Sequence, residues 1–389
     1  MKSSTDRILT SHVGSLARPH ALLEMMRDRF RGETIDDVAF DAAVSDAVTE
    51  AVRHQAEVGI DVVADGEMGK PSFFTYVTDR LAGFSATEGE KVLPPSWRLE
   101  LDAYPGYYEQ YLGKYDEVVV ELKAMACIGP VAYVGHDALA ADVANLRTAI
   151  DSLPDELVVA EAFMPSTSPR GFGVNTYYGS DDEYLEAVAE ALREEYLAIV
   201  DAGFLLQIDD PWLIEILTGA PGADPAACRH EADRHVEILN HALRGIPTDK
   251  IRLHTCYGLN HGPRTHDLPM DAVAPHMLRI DAGAYSFEVA NPRHMHEWRL
   301  WDDLDLPDGK VLIPGLIGHA TNYVEHPELV ADFIELYAER VGKENVIAGT
   351  DCGFSSRASF RPEVHPDVVW EKFRALAEGA RIATERLWK

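Results

Sequence analysis

Residues 254–258 read HTCYG and follow directly on the apolar run IRL. A β-strand turns successive side chains to opposite faces, so His254 and Cys256 point the same way from the C-terminal end of such a strand. Imidazole and thiolate are two of the groups zinc takes into a tetrahedron. Cys352, in IAGTDCGFSSR, follows a second apolar run, and Glu288, in YSFEVANPR, ends a third. Two strand ends thus offer three soft ligands and another offers a carboxylate as a fourth, the donor set of a catalytic zinc with one exchangeable position. The plainer alternative is a buried cysteine beside a hydrogen-bonded histidine, because unpaired cysteine is among the most often buried residues. The H-x-C spacing alone leaves both open.

Other polar groups sit at comparable places: Gly14-Ser15, Asp65-Gly66-Glu67 and Asp209-Asp210 each close an apolar run. These acids could hold a substrate cation or could simply support loops and helix N-termini. The runs that would position them are ILTSHV (8–13), DVVADGE (61–67), AMACIGPV (124–131), VVAEAF (158–163), FLLQID (204–209), IRLHTC (251–256), YSFEVA (285–290), VLIPGL (311–316) and NVIAGTD (345–351). Helical apolar spacing fills the intervals, clearly at 36–58, 181–202 after the cap-like SDDE, 224–244, 327–341 and 366–386. Alternating strand and helix predicts an α/β fold, a (β/α)₈ TIM barrel, whose active site is assembled at C-terminal strand ends. Nine runs exceed the eight a barrel needs, so one is peripheral, either 124–131 or 158–163. The stretch 69–123 breaks the rhythm with Tyr, Pro and Trp and reads as an insertion after strand 2. One elaborated domain over 1–389 is the simplest organisation.

Composition narrows the partners. With 35 basic against 65 acidic residues the formal net charge is -30, which argues against nucleic acid and anionic membrane, since phosphate binding requires basic patches. No apolar run reaches membrane-spanning length, and the start, MKSSTDRILTSHVGS, has no long apolar core, so a cytoplasmic protein is expected. Four cysteines at 127, 228, 256 and 352 do not form a disulfide framework, which favours buried, catalytic or metal-bound thiols. No surface stripe argues for a particular interface, although barrels of this kind often form homo-oligomers.

HTCYG, YSFEVANPR and IAGTDCGFSSR resemble the three zinc-ligand segments of the C-terminal barrel of cobalamin-independent methionine synthase and its single-barrel relatives, which include epoxyalkane:coenzyme M transferases. SHVGS, GIDVVADGEM, CIGPV and LLQIDDP follow in family order, so the resemblance runs from about residue 8 to 357. It implies a barrel of the methionine synthase/uroporphyrinogen decarboxylase type. It also implies zinc held by His254, Cys256, Glu288 and Cys352, with Glu67 and Asp209 on the amino group of homocysteine and the backbone near Ser15 on its carboxylate. The implied reaction is thiol alkylation, homocysteine methylation from a folate-type or other donor, with epoxide opening by coenzyme M as the alternative. A carboxylate pair suits an ammonium better than the sulfonate of coenzyme M. A decarboxylase of the uroporphyrinogen type would need an arginine-lined cleft, and only scattered Arg18, Arg27, Arg29 and Arg31 are present.

Two departures stand out. These 389 residues are too few to hold the extra N-terminal barrel that helps enclose folate in the methionine synthases, so a different donor is expected. Its loop PGLIGHATNY replaces a D-I-H-S-P type segment, with Gly318 where the aspartate would stand. His319, one position from the family histidine, becomes the candidate general acid. The histidines of 260–267 and 291–298 fall in expected loops and are read as solvated or capping groups, not as a second metal site. Trp298, Trp301 and the tyrosines of 104–115 could stack a flat ligand or simply pack, and Arg293 or Arg357 could meet an anionic tail.

Overall fold

A computed structural model of the chain describes residues 1–88, 93–112, 119, 123–258 and 261–389. Its strands, in chain order, are β1 (Leu9–Thr10), β2 (Val62–Val63), β3 (Leu81–Thr87), β4 (Ala124–Tyr133), β5 (Glu161–Thr167), β6 (Val174–Asn175), β7 (Leu205–Asp209), β8 (Ile251–His254), β9 (Ala284–Glu288), β10 (Val311–Ile317) and β11 (Ile347–Thr350). Eight of them form one parallel sheet in the order β1-β11-β10-β9-β8-β7-β5-β2. A parallel bridge between Ser11 and Val62 joins the two ends, so the sheet closes into a barrel.

These strands are short and apolar because both their faces are covered, one by the barrel interior and one by helices. β8, β9 and β10 are buried along their whole length. Inside the barrel, Leu9, Ala284, Val311, Ile313 and Ile347 pack as one group and Val62, Ala64, Phe163 and Leu205 as another. The remaining core joins the sheet to the helices around it. Polar residues also enter the interior: fully buried Arg252 donates to Ser11 Oγ at 2.7 Å and to the His12 carbonyl at 2.8 Å, and lies 4.1 Å over the Phe163 ring.

The helices begin where capping chemistry starts them. Ser180 accepts from the Glu183 N–H ahead of Asp181–Asp201, whose first turn carries three acids that complement the positive helix end. Asp36 accepts from Val38 and Ala39 ahead of Asp37–Glu57, and Pro366 occupies the first turn of Pro366–Leu387.

Between the two candidates for the ninth, peripheral strand, the structure chooses β4. It pairs antiparallel with β3 and parallel with β6 in a separate three-stranded sheet, whereas 161–167 takes a barrel position between β2 and β7. The insertion therefore extends past 123 to the end of β4. Its described residues include the α-helices Pro95–Ala103 and Pro105–Leu112. Residues 89–92, 113–118 and 120–122 of the expected insertion, Tyr115 among them, lie outside the described residues.

Candidate functional site

Strand register assembles the site. Asp209 pairs with His254 across β7 and β8, and His254 with Ser286 across β8 and β9, so the chemically useful ends of neighbouring strands reach one rim together. Cys256 lies two residues past the end of β8 and Cys352 two residues past the end of β11.

The ligand atoms of His254, Cys256 and Cys352 lie within 4.8 Å of one another, and all three residues are buried. The two sulfurs are 3.7 Å apart. A tetrahedron with metal–sulfur bonds of about 2.3 Å has sulfur–sulfur edges of about 3.8 Å, so this spacing fits two ligands of one zinc. His254 fits as the third: its Nδ1 is 3.1 Å from Ser286 Oγ, while its buried Nε2 has no hydrogen-bond partner among the described residues. One ring nitrogen held by a neighbour and the other left bare is the arrangement of a metal-ligating imidazole. The Cys352 S–H donates to Cys256 and, with His254 alongside, draws the Cys256 thiol well below its ordinary value; the sulfur anion so formed holds the Cys352 proton well above it.

Glu288, the last residue of β9, falls in a second group with His319 and Asp351, whose ligand atoms also lie within 4.8 Å of one another. Its Oε1 accepts the Tyr257 N–H at 3.0 Å and its Oε2 meets the Arg264 guanidinium at 3.0 Å. Burial pushes the Glu288 carboxyl up to about 7 against the opposing pull of Arg264. His319 is buried, and neither ring nitrogen has a hydrogen-bond partner among the described residues. Burial, reinforced by the charge of Arg264, keeps that ring neutral by lowering its pKa well below the usual histidine value. Asp351 accepts two backbone N–H groups, from Val289 and Ala290, at 2.8 Å each.

The three expected substrate-binding residues share this rim. Glu67 is buried in a left-handed backbone conformation, φ 57°, and its Oε2 has no hydrogen-bond partner among the described residues; the nearest cation, Arg18, stands 3.9 Å away. Asp209 accepts from Gln207 at 2.7 Å, and burial pushes it up to about 8, with Glu67 and Cys256 close enough to add to the rise. Ser15 Oγ is 3.3 Å from Ser356 Oγ and fills the space beside Gly353, where an added Cβ would come within 2.0 Å of that oxygen. Asp210, the alternative member of its pair, is taken up by His235 and Ser168 at 2.8 Å each and serves the fold.

The insertion packs beside the HTCYG loop, with Trp97 Nε1 3.9 Å from where a Cβ at Gly258 would stand, and it is tied to the surrounding elements. Glu215 accepts from the backbone and hydroxyl of Ser96 at the start of helix Pro95–Ala103. Buried Glu100 accepts the N–H groups of Arg264 at 3.2 Å and His266 at 3.1 Å. Among the aromatics, Trp301 is buried against Phe287 and Trp298 is sandwiched by Arg299 and Arg340, so both pack. Tyr107 and Tyr111 stack on each other at 5.6 Å. His294 is held between Asp267 and Glu297. Arg264, Glu100 and Glu215 gave no signal in the sequence, because each lies in a loop or helix with no spacing motif of its own, whereas Asp351 stood out only as the neighbour of Cys352 at a strand end.

Residues 8–99 match the family model described as the catalytic domain of cobalamin-independent synthase. Over 381 residues the chain is 24% identical to a methionine synthase of Saccharolobus islandicus, an alignment covering 97% of this chain and 95% of the relative. It is 25% identical to a methionine synthase of Thermococcus kodakarensis, covering 97% and 94%. A B12-independent methionine synthase from Shewanella sp. W3-18-1, solved in complex with selenomethionine, has the same fold, with a TM-score of 0.72 at 20% identity over 98% of this chain and 99% of that one.

Proposed function

We propose, from the premise that the chain belongs to the cobalamin-independent methionine synthase-like family, that it is a zinc-dependent methyltransferase acting on the sulfur of homocysteine. The observation that carries the metal is the pair of thiols at 3.7 Å beside the bare Nε2 of His254. His254, Cys256 and Cys352 would hold the ion, with Glu288 as the exchangeable fourth ligand. When bound, zinc would keep a substrate thiol deprotonated while leaving its sulfur nucleophilic.

The chain's own residues orient the amino acid. Glu67 offers an unsatisfied carboxylate oxygen and Asp209 a second buried carboxyl. An ammonium set between them repays burial that otherwise raises both groups, and it would draw the proton off Asp209. That demand for a cation favours an amino-acid thiol over a sulfonate. Ser15 follows Gly14, which packs against Glu67, and its hydroxyl stands beside Ser356; the backbone there would receive the carboxylate. His319, whose ring burial keeps neutral, stands next to Glu288 and Asp351 and is the group to relay a proton to the departing donor from Asp351, whose carboxyl burial raises well above its usual value. The buried rim excludes water from the thiol.

The test combines metal analysis with transfer to homocysteine. Wild-type protein should carry about one zinc per chain, and Cys256→Ser and Cys352→Ser proteins should lose both metal and methyl transfer. Metal-free protein with full activity, or serine variants that keep full activity, would end this reading.

A further inference from the structure

We propose that Arg264 is a positioning residue that captures the Glu288 carboxylate and so keeps one coordination position open for the substrate sulfur; this rests on the zinc-dependent reading above. Both Glu288 oxygens are already engaged, Oε1 by the Tyr257 N–H and Oε2 by Arg264, each at 3.0 Å. A carboxylate held by two donors must give one up to bind an ion, so the strength of the Arg264 contact sets how readily Glu288 does so.

Arg264 is built to stay in place. Its Nε donates to Asp267 Oδ2 at 2.6 Å and its backbone N–H to buried Glu100 at 3.2 Å. Asp267 is in turn held by His294 at 3.1 Å, and His294 by Glu297 at 2.9 Å. Its backbone φ is 60°, and the other non-glycine residue in the left-handed region among those described is Glu67, also on this rim. Such strain persists only where surrounding contacts over-determine it, and it concentrates at functional sites. A planar guanidinium fixed on one edge by Asp267 presents its Nη2 to Glu288 in one geometry, which a flexible ammonium would not. The segment that carries it is clamped by the insertion helix through Glu100, so that helix and the metal rim form one rigid arrangement.

Cobalt substitution tests this without turnover. The full-length protein, Arg264→Met, Glu288→Gln and the double variant are loaded with Co²⁺, and visible absorption is recorded before and during titration with homocysteine. Before thiol, Arg264→Met should change the cobalt spectrum as the freed carboxylate joins the metal, and the double variant should return to the wild-type form. On titration, Arg264→Met should weaken homocysteine binding about tenfold or more, with the double variant restored to within about threefold of wild type. Identical spectra and affinity in wild type and Arg264→Met, or failure of Glu288→Gln to reverse the change, would overturn the assignment. Should Arg264→Met not fold, Asp267→Asn loosens the same guanidinium and must shift the spectrum in the same direction; an unchanged spectrum there is equally fatal. The first comparison needs no thiol. A wild-type protein that ignores homocysteine while the thiol-free spectra behave as expected would remove the proposed substrate and leave the capture of Glu288 standing.

Discussion

The loop that carries His319 is fastened from beneath by a buried ion pair, and breaking it has consequences that can be worked out. Lys372, fully buried on helix Pro366–Leu387, lies 2.8 Å from both oxygens of Glu325, whose side chain is 16% exposed. Glu325 Oε1 also accepts the Gly318 N–H at 2.9 Å, which closes the loop on itself one residue before His319. Removing one partner of a buried pair costs about 3–5 kcal/mol, because the other charge is stranded. In Lys372→Met the stranded group is Glu325, which can turn partly to water, so about 3 kcal/mol is expected. In Glu325→Gln the stranded group is Lys372, fully enclosed, so the cost lies nearer about 5 kcal/mol. At about 2.1 cal/mol/K of unfolding entropy per residue, the 389 residues give about 0.8 kcal/mol/K, and the first variant should melt about 4 °C lower. Equilibrium unfolding in urea of both single variants and the double variant closes a mutant cycle, with an expected coupling of at least about 2 kcal/mol. The single variants should retain zinc and lower kcat more than they raise KM, since the loosened loop misplaces His319 without touching the ligands. Single-variant effects that add to the double within about 0.5 kcal/mol would refute the reasoning.

Three further outcomes follow from particular contacts. His319→Gln should leave zinc content unchanged while cutting kcat by about 10²-fold or more, measured by steady-state methyl transfer. Burial pulls His294 down, but Asp267 and Glu297 outweigh it and carry the ring up to about 9; a folded pKa above the unfolded value means stability complete below about pH 6.5 and lost as pH rises through about 9. The loss should approach about 3 kcal/mol and should vanish in His294→Gln, read as urea midpoint against pH. Gly171→Ala would set a Cβ 2.2 Å from Trp212 Cζ2 at a backbone φ of 91°, and should destabilise by about 2 kcal/mol or more in the same unfolding assay.

The barrel was readable in the sequence because parallel strands buried on both faces must be short apolar runs, and the segments from VVADGE to VIAGTD meet that demand in regular alternation with amphipathic helices. That His254, Cys256 and Cys352 come together was readable for a related reason: strand ends in a barrel share a rim, although both cysteines lie two residues past their strands, where the two-residue period no longer fixes the face. Pattern could not decide which apolar run leaves the barrel. AMACIGPV and VVAEAF are equally able to pair, and only the assembled sheet shows the first in β4, half-exposed beside β3, and the second leading into β5, buried between β2 and β7. Nor could pattern find Arg264 against Glu288, Glu100 beneath the Arg264 turn, or Lys372 under Glu325. Each pair joins elements distant in sequence, and a buried charge is placed by whatever opposite charge the fold brings within about 3 Å, a condition that chain-local spacing does not encode. Residue types at strand ends therefore determined what chemistry the protein can hold, while tertiary packing decided how Glu288 is held among those groups and how firmly the His319 loop is fixed.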